Sequence, residues 1–362
     1  MKPAPGEVTV GIIANPASGR DIRRLVASAS VFPVAEKCNM INRLLGALNA
    51  TGVSRVVLMP DLGGISERVR RAVAVRIGSR CWPEVEILEM PLEDGPGDTV
   101  YAVERMAARG VAAIIILGGD GTHRLVASAC GEIPLMTLST GTNNVFPEMR
   151  EATIAGMATG FVATGKVPKV EGTVRNKILR VEVDGREQGL AVVDASVSNE
   201  RWTGSKALWQ PENLRQIFVT FAEPDAIGLS SIAGLLHPVS RRVPQGVRVD
   251  LVPVEMAAVT LRAPIAPGLL AVVGVAGVHE IRPGELQTIA NSTGVIALDG
   301  EREIEFRLDQ QVILRLDNMG PLSIDTRQVM TLAAREGLMV AQRLPYGEEA
   351  RVLSRLPSFS RG

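Results

Sequence analysis

The sequence predicts an α/β domain followed by a β-rich one. From residue 8 to about 160, short β-branched runs alternate with longer helix-like stretches, and after about 169 the texture changes to closely spaced alternating strands. The length of 362 residues, 46% of them apolar, is enough to fill two cores.

In the first half, strands are expected over 8–14, 55–60, 84–89, 111–117 and 134–138, each followed by glycine, serine, asparagine or aspartate. Helical spacing of apolar residues falls over 34–49, 65–77, 99–108 and 123–130, with Val100, Val103 and Met106 sharing one face. The run Ala112-Ala113-Ile114-Ile115-Ile116-Leu117 does not alternate, as a doubly wound parallel strand should not, because both of its faces meet helices. Functional loops are expected at the carboxyl ends of these strands.

In the second half, strands are expected over 178–183, 190–196, 247–252, 257–261, 294–298, 303–307 and 312–316. Asp184-Gly185 and Asp299-Gly300 stand at hairpin positions. The stretch 211–233 reads as a helical or loop insertion. The expected units are an α/β domain over 1–165, a β-rich domain over 166–345 and a tail over 346–362.

The 39 basic and 39 acidic residues cancel, which removes the positive field that nucleic acid or an anionic membrane would favour and points to small-molecule partners. Cys38, Cys81 and Cys130 lack metal-ligand spacing, so free thiols in a reducing cytoplasm are expected. The amino terminus has no signal-peptide core, and the apolar run 111–117 is far shorter than the ~20 residues of a membrane helix. Edge strands in the β-rich domain allow a homo-oligomer, unless a segment such as 328–341 covers them.

The chemistry concentrates at Gly118-Gly119-Asp120-Gly121-Thr122, which ends a strand and opens a helix. Glycines let the backbone approach a ligand, and a helix amino terminus offers unpaired amides suited to phosphate. Asp120 can orient Mg2+, its water or an acceptor hydroxyl, or it can cap the helix, as can Thr122. Asn15-Pro16-Ala17-Ser18-Gly19 and Ser139-Thr140-Gly141-Thr142-Asn143-Asn144 follow neighbouring strands with similar character.

These three segments, in order, resemble the nucleotide motifs shared by NAD kinases, diacylglycerol kinases and sphingosine kinases. Leu298-Asp299-Gly300-Glu301 resembles the acidic turn of the lipid-kinase branch. Leu138-Ser139-Thr140-Gly141-Thr142-Asn143-Asn144-Val145-Phe146-Pro147 is similar to the acetoin-catabolism protein X group, which is classed with the ATP-NAD kinases. The resemblance implies a Rossmann-like α/β domain, a β-sandwich and an active site between them. It implies that Asn15, Ser18 and Gly19 hold ATP, that Gly118, Gly119, Gly121 and Thr122 hold its phosphates, and that Asp120 is the catalytic carboxylate. Thr140, Gly141, Thr142 and Asn144 line the opposite wall, and the activity implied is transfer of a phosphoryl group to a small soluble acceptor, NAD(H) being the first candidate.

Several residues carry two readings. Val193-Asp194 stands where NAD kinases carry Asn-Glu, so Asp194 is either a ribose-hydroxyl ligand or an ordinary strand-end aspartate. Glu301 is a second carboxylate for Mg2+ or the acceptor, or part of a plain type I′ turn. His123 is a general base or a solvent-facing residue, and Arg241-Arg242 is a solvated face rather than a lipid site. Trp202 and Trp209, near Lys206, stack on a nucleotide base or pack an insertion. Asn144-Val145 replaces the Asn-Asp of lipid kinases. A lipid or polyol kinase and a nucleotide-binding accessory protein without turnover remain the alternatives.

Overall fold

The computed structural model describes residues 7–18, 32–75, 82–141, 144–199, 211–289 and 292–340. Gly19, Cys81, Thr142, Asn143, Trp202, Lys206, Trp209 and the tail over 346–362 lie outside them.

The first half runs β1 (Thr9–Ala14), α1 (Val34–Thr51), β2 (Arg55–Leu58), α2 (Ile65–Val75), β3 (Glu84–Ile87), α3 (Pro96–Ala108), β4 (Ala113–Gly118), α4 (Asp120–Ala129), β5 (Leu135–Ser139), α5 (Ala152–Ala163), α6 (Lys169–Gly172) and β6 (Thr173–Arg175). β3, β2, β1, β4 and β5 pair in that order, all parallel. β4 behaves as the unbroken apolar run requires. Ala113, Ile115 and Leu117 enter the core under α1 and α5, while Ile114 and Ile116 enter the core under α3 and α4.

Helix α5 was not read from the sequence. Its residues are small or apolar on every side, so no stripe marks it, and it lies buried between α1 and other elements. A Cβ at Gly156 would stand 2.8 Å from Ala47 and 3.1 Å from the Leu44 carbonyl, so glycine sets how closely α5 approaches α1.

The second half contains β7 (Ile178–Val183), β8 (Arg186–Ala191), β9 (Asp194–Ser198), β10 (Leu214–Val219), α7 (Ser230–Leu236), β11 (Gly246–Val252), β12 (Val259–Ala266), β13 (Leu269–Ile281), β14 (Leu286–Thr288), β15 (Gly294–Leu298), β16 (Glu301–Phe306) and β17 (Val312–Asp317). They form a seven-stranded sheet, β12-β13-β11-β10-β9-β15-β16, and a four-stranded one, β14-β17-β7-β8. Leu179, Val181 and Leu314 from the smaller sheet and Ala195, Val197, Ile296 and Phe306 from the larger fill one core, which makes the pair a sandwich. Both Asp-Gly dipeptides are the two-residue turns expected, with positive φ at Asp184, Gly185, Asp299 and Gly300.

Two expectations are corrected here. The stretch 211–233 is not an insertion, because β10 lies inside the large sheet between β9 and β11, and its helical parts are a 3-10 turn over Pro211–Asn213 and the start of the short α7. A bulge between Leu214 and Gln216 breaks the alternation that would have marked β10. The stretch 190–196 is not one strand either, since β8 ends at Ala191 and β9 begins at Asp194. The chain then returns: β18 (Leu322–Ile324) pairs with β5 and β6 in the first sheet, and α8 (Thr326–Arg335) buries Val329 and Ala333 in the core beneath α1 and α5. Among the described residues no helix is long and apolar enough to cross a membrane.

Candidate active site

β1, β4 and β5 end side by side. From β1 the sheet extends through β2 and β3 in one direction and through β4 and β5 in the other, so the crevice between β1 and β4 is a topological switch point, where ligands of open α/β sheets bind.

Asn15 follows β1. Its Nδ2 donates to Thr122 Oγ1 at 2.9 Å, and its Oδ1 accepts from the Ala17 amide at 2.8 Å. Ser18 Oγ and Thr140 Oγ1 share a hydrogen bond of 2.9 Å. Beneath this loop lies Lys37, fully buried in α1, with Nζ donating to the carbonyls of Asn15 at 2.8 Å and Ser18 at 2.9 Å. A buried ammonium needs such acceptors, and here they fix the shape of the loop.

The glycine motif closes on the protein itself. A Cβ at Gly118 would stand 2.6 Å from Thr122, one at Gly119 would stand 2.9 Å from Asn144 Oδ1, and one at Gly121 would stand 3.1 Å from Glu301 Oε1. Asn144 also crowds Gly141, and its Nδ2 donates to Ser139 Oγ at 2.7 Å. Helix α4 starts at Asp120 with Gly119 as its N-cap and no side chain capping it, so neither Asp120 nor Thr122 is the cap. The amides of its first turn have no intrahelical acceptor.

The Asp120 carboxylate turns instead to the loop after β5. The Val145 amide donates to Oδ1 and Oδ2 at 3.1 and 3.0 Å, and the Phe146 amide donates to Oδ1 at 2.8 Å. Arg241 reaches the same loop from the sandwich. Its Nη1 donates to the Phe146 carbonyl at 3.0 Å, and its Nη2 donates to the Val145 carbonyl. The Nε and Nη2 of one guanidinium edge donate to the two Glu223 carboxylate oxygens at 2.9 Å each, and the Phe221 ring lies beneath with its centroid 4.0 Å away. The expectation of a solvated Arg241-Arg242 face is corrected for Arg241, which bridges the two halves; Arg242 does face solvent, with 74% of its side chain exposed and one contact to Asp325 at 2.9 Å.

Asp299 is more than a turn residue. Its carboxylate accepts from the amides of Val192, Val193 and Asp194 at 3.1, 2.8 and 3.1 Å, which is why the chain breaks between β8 and β9. Arg124, one turn beyond Asp120 on α4, forks onto Glu303 and lies 3.7 Å from both Asp299 and Glu301. Glu303 is the extra residue of a bulge in β16, since Ile304 pairs with Ile296 and Arg302 with Ala297. Burial pushes the Asp299 carboxyl well above the usual carboxylate range; Arg124 opposes this, and the charges of Asp194 and Asp120 add to it. Asp194 opens β9, with Oδ1 accepting from Ser196 Oγ at 3.2 Å and its carbonyl accepting from the Asp299 amide at 2.8 Å.

His123 is neither solvent-facing nor placed as a base. It is completely buried, its Nδ1 lies 2.8 Å from the Gly119 carbonyl, and burial lowers its pKa to about 4. Of the residues that sequence reasoning singled out, Asn15, Ser18, Gly118, Gly119, Asp120, Gly121, Thr122, Thr140, Gly141, Asn144 and Glu301 are joined by these contacts, and Asp194 is connected through Asp299. Lys37 and Arg124 were missed, Asp299 was named only as part of the acidic turn, and Arg241 only as a solvated face. Only Arg124 left a signal, standing four residues after Asp120 on the same helix face.

A doubly wound domain with glycine loops at its switch point, facing an acidic turn of a β-sandwich, defines the NAD kinase class of fold. Residues 10–167 match the family described as the ATP-NAD kinase N-terminal domain, and residues 177–319 match the acetoin catabolism protein X C-terminal domain. Acetoin catabolism protein X of Cupriavidus necator is 46% identical over 335 residues, which cover 91% of this chain and 93% of that protein. The chain belongs to the acetoin catabolism protein X family.

Proposed function

We propose that the protein is a phosphotransferase that takes the terminal phosphoryl group of ATP and passes it to a hydroxyl of a small acceptor, in a role connected with acetoin catabolism. NAD(H) is the first acceptor to test, because residues 10–167 match an ATP-NAD kinase domain. The observation that carries the reading is the uncapped amino terminus of α4, set at the switch point between the Asn15 and Thr140 loops and faced by Glu301. First-turn amides, which lack an intrahelical acceptor, and the helix dipole suit phosphate.

The donor set fits a cation held mainly by phosphate oxygens. Among the described residues no group of three or more His, Cys, Asp or Glu is arranged to hold a metal ion, and the Asp120 oxygens already accept from two amides. Mg2+ is commonly bound through one or two carboxylates and substrate phosphates, and Glu301, with 38% of its side chain exposed, is the carboxylate on hand. Bound there, Mg2+ would neutralise phosphate charge. The chain's own part is positioning: Lys37 and Asn15 shape one wall, and Asp120 and Arg241 fix the other.

A specific observation favours a second reading, a nucleotide-binding accessory protein. Thr122, Asn144 and Glu301 already account for the glycines of the motif, and Asp120 is committed to backbone amides. Radiolabelled phosphate transfer from ATP with Mg2+, offered NAD, NADH and a panel of small diols, separates the two. Turnover on any acceptor supports the kinase, and ATP binding without turnover supports the accessory role.

A further inference from the structure

Among the described residues Arg215 has no ion-pair partner. It is the bulge residue of β10, between Leu214, which pairs with Ser198, and Gln216, which pairs with Val197. Its Nε and Nη2 are shut off from solvent and have no hydrogen-bond partner among the described residues. Burial holds its pKa below the ordinary arginine range. Arg124, also buried, shows the usual solution, with Glu303, Asp299 and Glu301 around it.

Ser198, in the neighbouring ladder position, shares the anomaly. It is 1% exposed, and its Oγ likewise has no partner among the described residues. Buried polar atoms are almost always paired, so two orphans in adjacent positions need a cause. One polar guanidinium edge and one hydroxyl, both donors, suit an oxyanion.

Their place in the sheet says whose oxyanion it is. Ala195 and Val197 point into the sandwich core, so Asp194, Ser196 and Ser198 share the opposite face of β9. Asp194 is tied to Asp299 and hence to the Arg124 cluster. Ser198 stands four residues along, about 13 Å from Asp194 at the usual strand rise.

We propose that Arg215 and Ser198 form a subsite for a phosphate or carboxylate of the acceptor, about 13 Å along β9 from the acidic cluster. This rests on the reading of that cleft as the place of phosphoryl transfer. The acceptor is then an extended, anionic molecule of nucleotide size, and a neutral compound as small as a four-carbon ketol would leave the subsite empty.

The test follows the Arg215 Nε–H signal of the full chain by nitrogen-15 NMR, assigned by its loss in Arg215→Lys. Inorganic phosphate and sodium acetate are titrated separately, with sodium chloride as the ionic-strength control. A saturable shift with phosphate supports a phosphate-bearing acceptor, and one with acetate a carboxylate-bearing one. In either case Arg215→Gln, which lacks the reporter signal and is read by calorimetry with the same anion, should weaken binding by about tenfold or more, and Ser198→Ala, read by the Arg215 signal, by a smaller factor. A signal that neither anion moves, or that chloride moves equally, overturns the subsite. ATP binding, measured by calorimetry on the same sample, reports on the donor site alone: its absence would sink the phosphotransferase reading and leave the anion result standing.

Discussion

Asp120 and Arg241 hold the same two residues by opposite ends: the amides of Val145 and Phe146 donate to the carboxylate, and their carbonyls accept from the guanidinium. Since the two residues come from different halves of the chain, the loop between them belongs to both. Asp120→Asn and Arg241→Ala should each lower unfolding stability by about 1–3 kcal/mol in urea. The double variant should lose clearly less than the sum, because either change frees the loop. Strict additivity in that cycle would show that the grips are independent. If Asp120 also acts at the phosphoryl centre, its variant should transfer phosphate about 100-fold more slowly than Arg241→Ala.

Gly121 faces the Glu301 carboxylate, 3.1 Å from where a Cβ would lie. Gly121→Val should therefore abolish ATP binding and move the acidic turn together, while the far-ultraviolet circular dichroism stays native. Gly121→Ala in a Glu301→Gln background relieves the charge but keeps the methyl group. Restored ATP affinity there assigns the defect to Glu301, and continued loss assigns it to the backbone approach.

Arg124 is the counter-charge for Asp299, Glu301 and Glu303. Arg124→Met should cost about 3–5 kcal/mol, as breaking a buried ion pair from one side does. Asp299 already binds its proton more tightly than an unfolded aspartate, and losing Arg124 raises that affinity further. A raised folded-state pKa gives stability that is present below the unfolded pKa and disappears as pH rises through the folded one. The deficit of Arg124→Met should thus grow as pH rises above the usual carboxylate range in thermal melts, and a pH-independent deficit would count against this account.

The sign is opposite at His123, whose pKa falls from 6.5 to about 4 on burial. Its contribution is present above pH 6.5 and is lost as pH falls towards 4, to the extent of about 3 kcal/mol. His123→Gln removes the titration. The stability gap between wild type and variant should narrow by about that amount between pH 7 and pH 4 in urea titrations, whereas a constant gap would mean that the folded imidazole binds its proton as readily as the unfolded one.

The sequence made the first half readable because isoleucine and valine runs between helical stripes leave few other folds. β4 and its glycine turn could be placed within two residues. Helix α5, apolar all round, and β10, with a bulge at Arg215, gave no periodic signal. The same limit applies to the site. Asp120 stands out in a glycine motif, but its partner loop lies 25 residues away, Arg241 bonds to Phe146 across 95 positions, and Arg124 meets Glu303 across 179. Pairs that distant have no spacing rule, and the charge of Arg241 looked like surface until Glu223 and Phe221 were found around it.

β6 and β18 lie side by side in the first sheet, one leading out to the sandwich and the other leading back from it. Asn176 laces the two passages together: its Nδ2 donates to the Pro321 carbonyl at 2.8 Å and to Ser323 Oγ at 2.7 Å, and its backbone exchanges hydrogen bonds with Pro321 and Gly320. The sandwich is therefore an insertion hung on a double stalk. A single linker permits swivelling and drift, whereas two strands fastened at one asparagine leave mainly a bending motion about that knot, which would widen or narrow the cleft without letting its walls slide past each other. It also follows that a polypeptide stopped after α5 would lack the strand and helix that complete its own sheet.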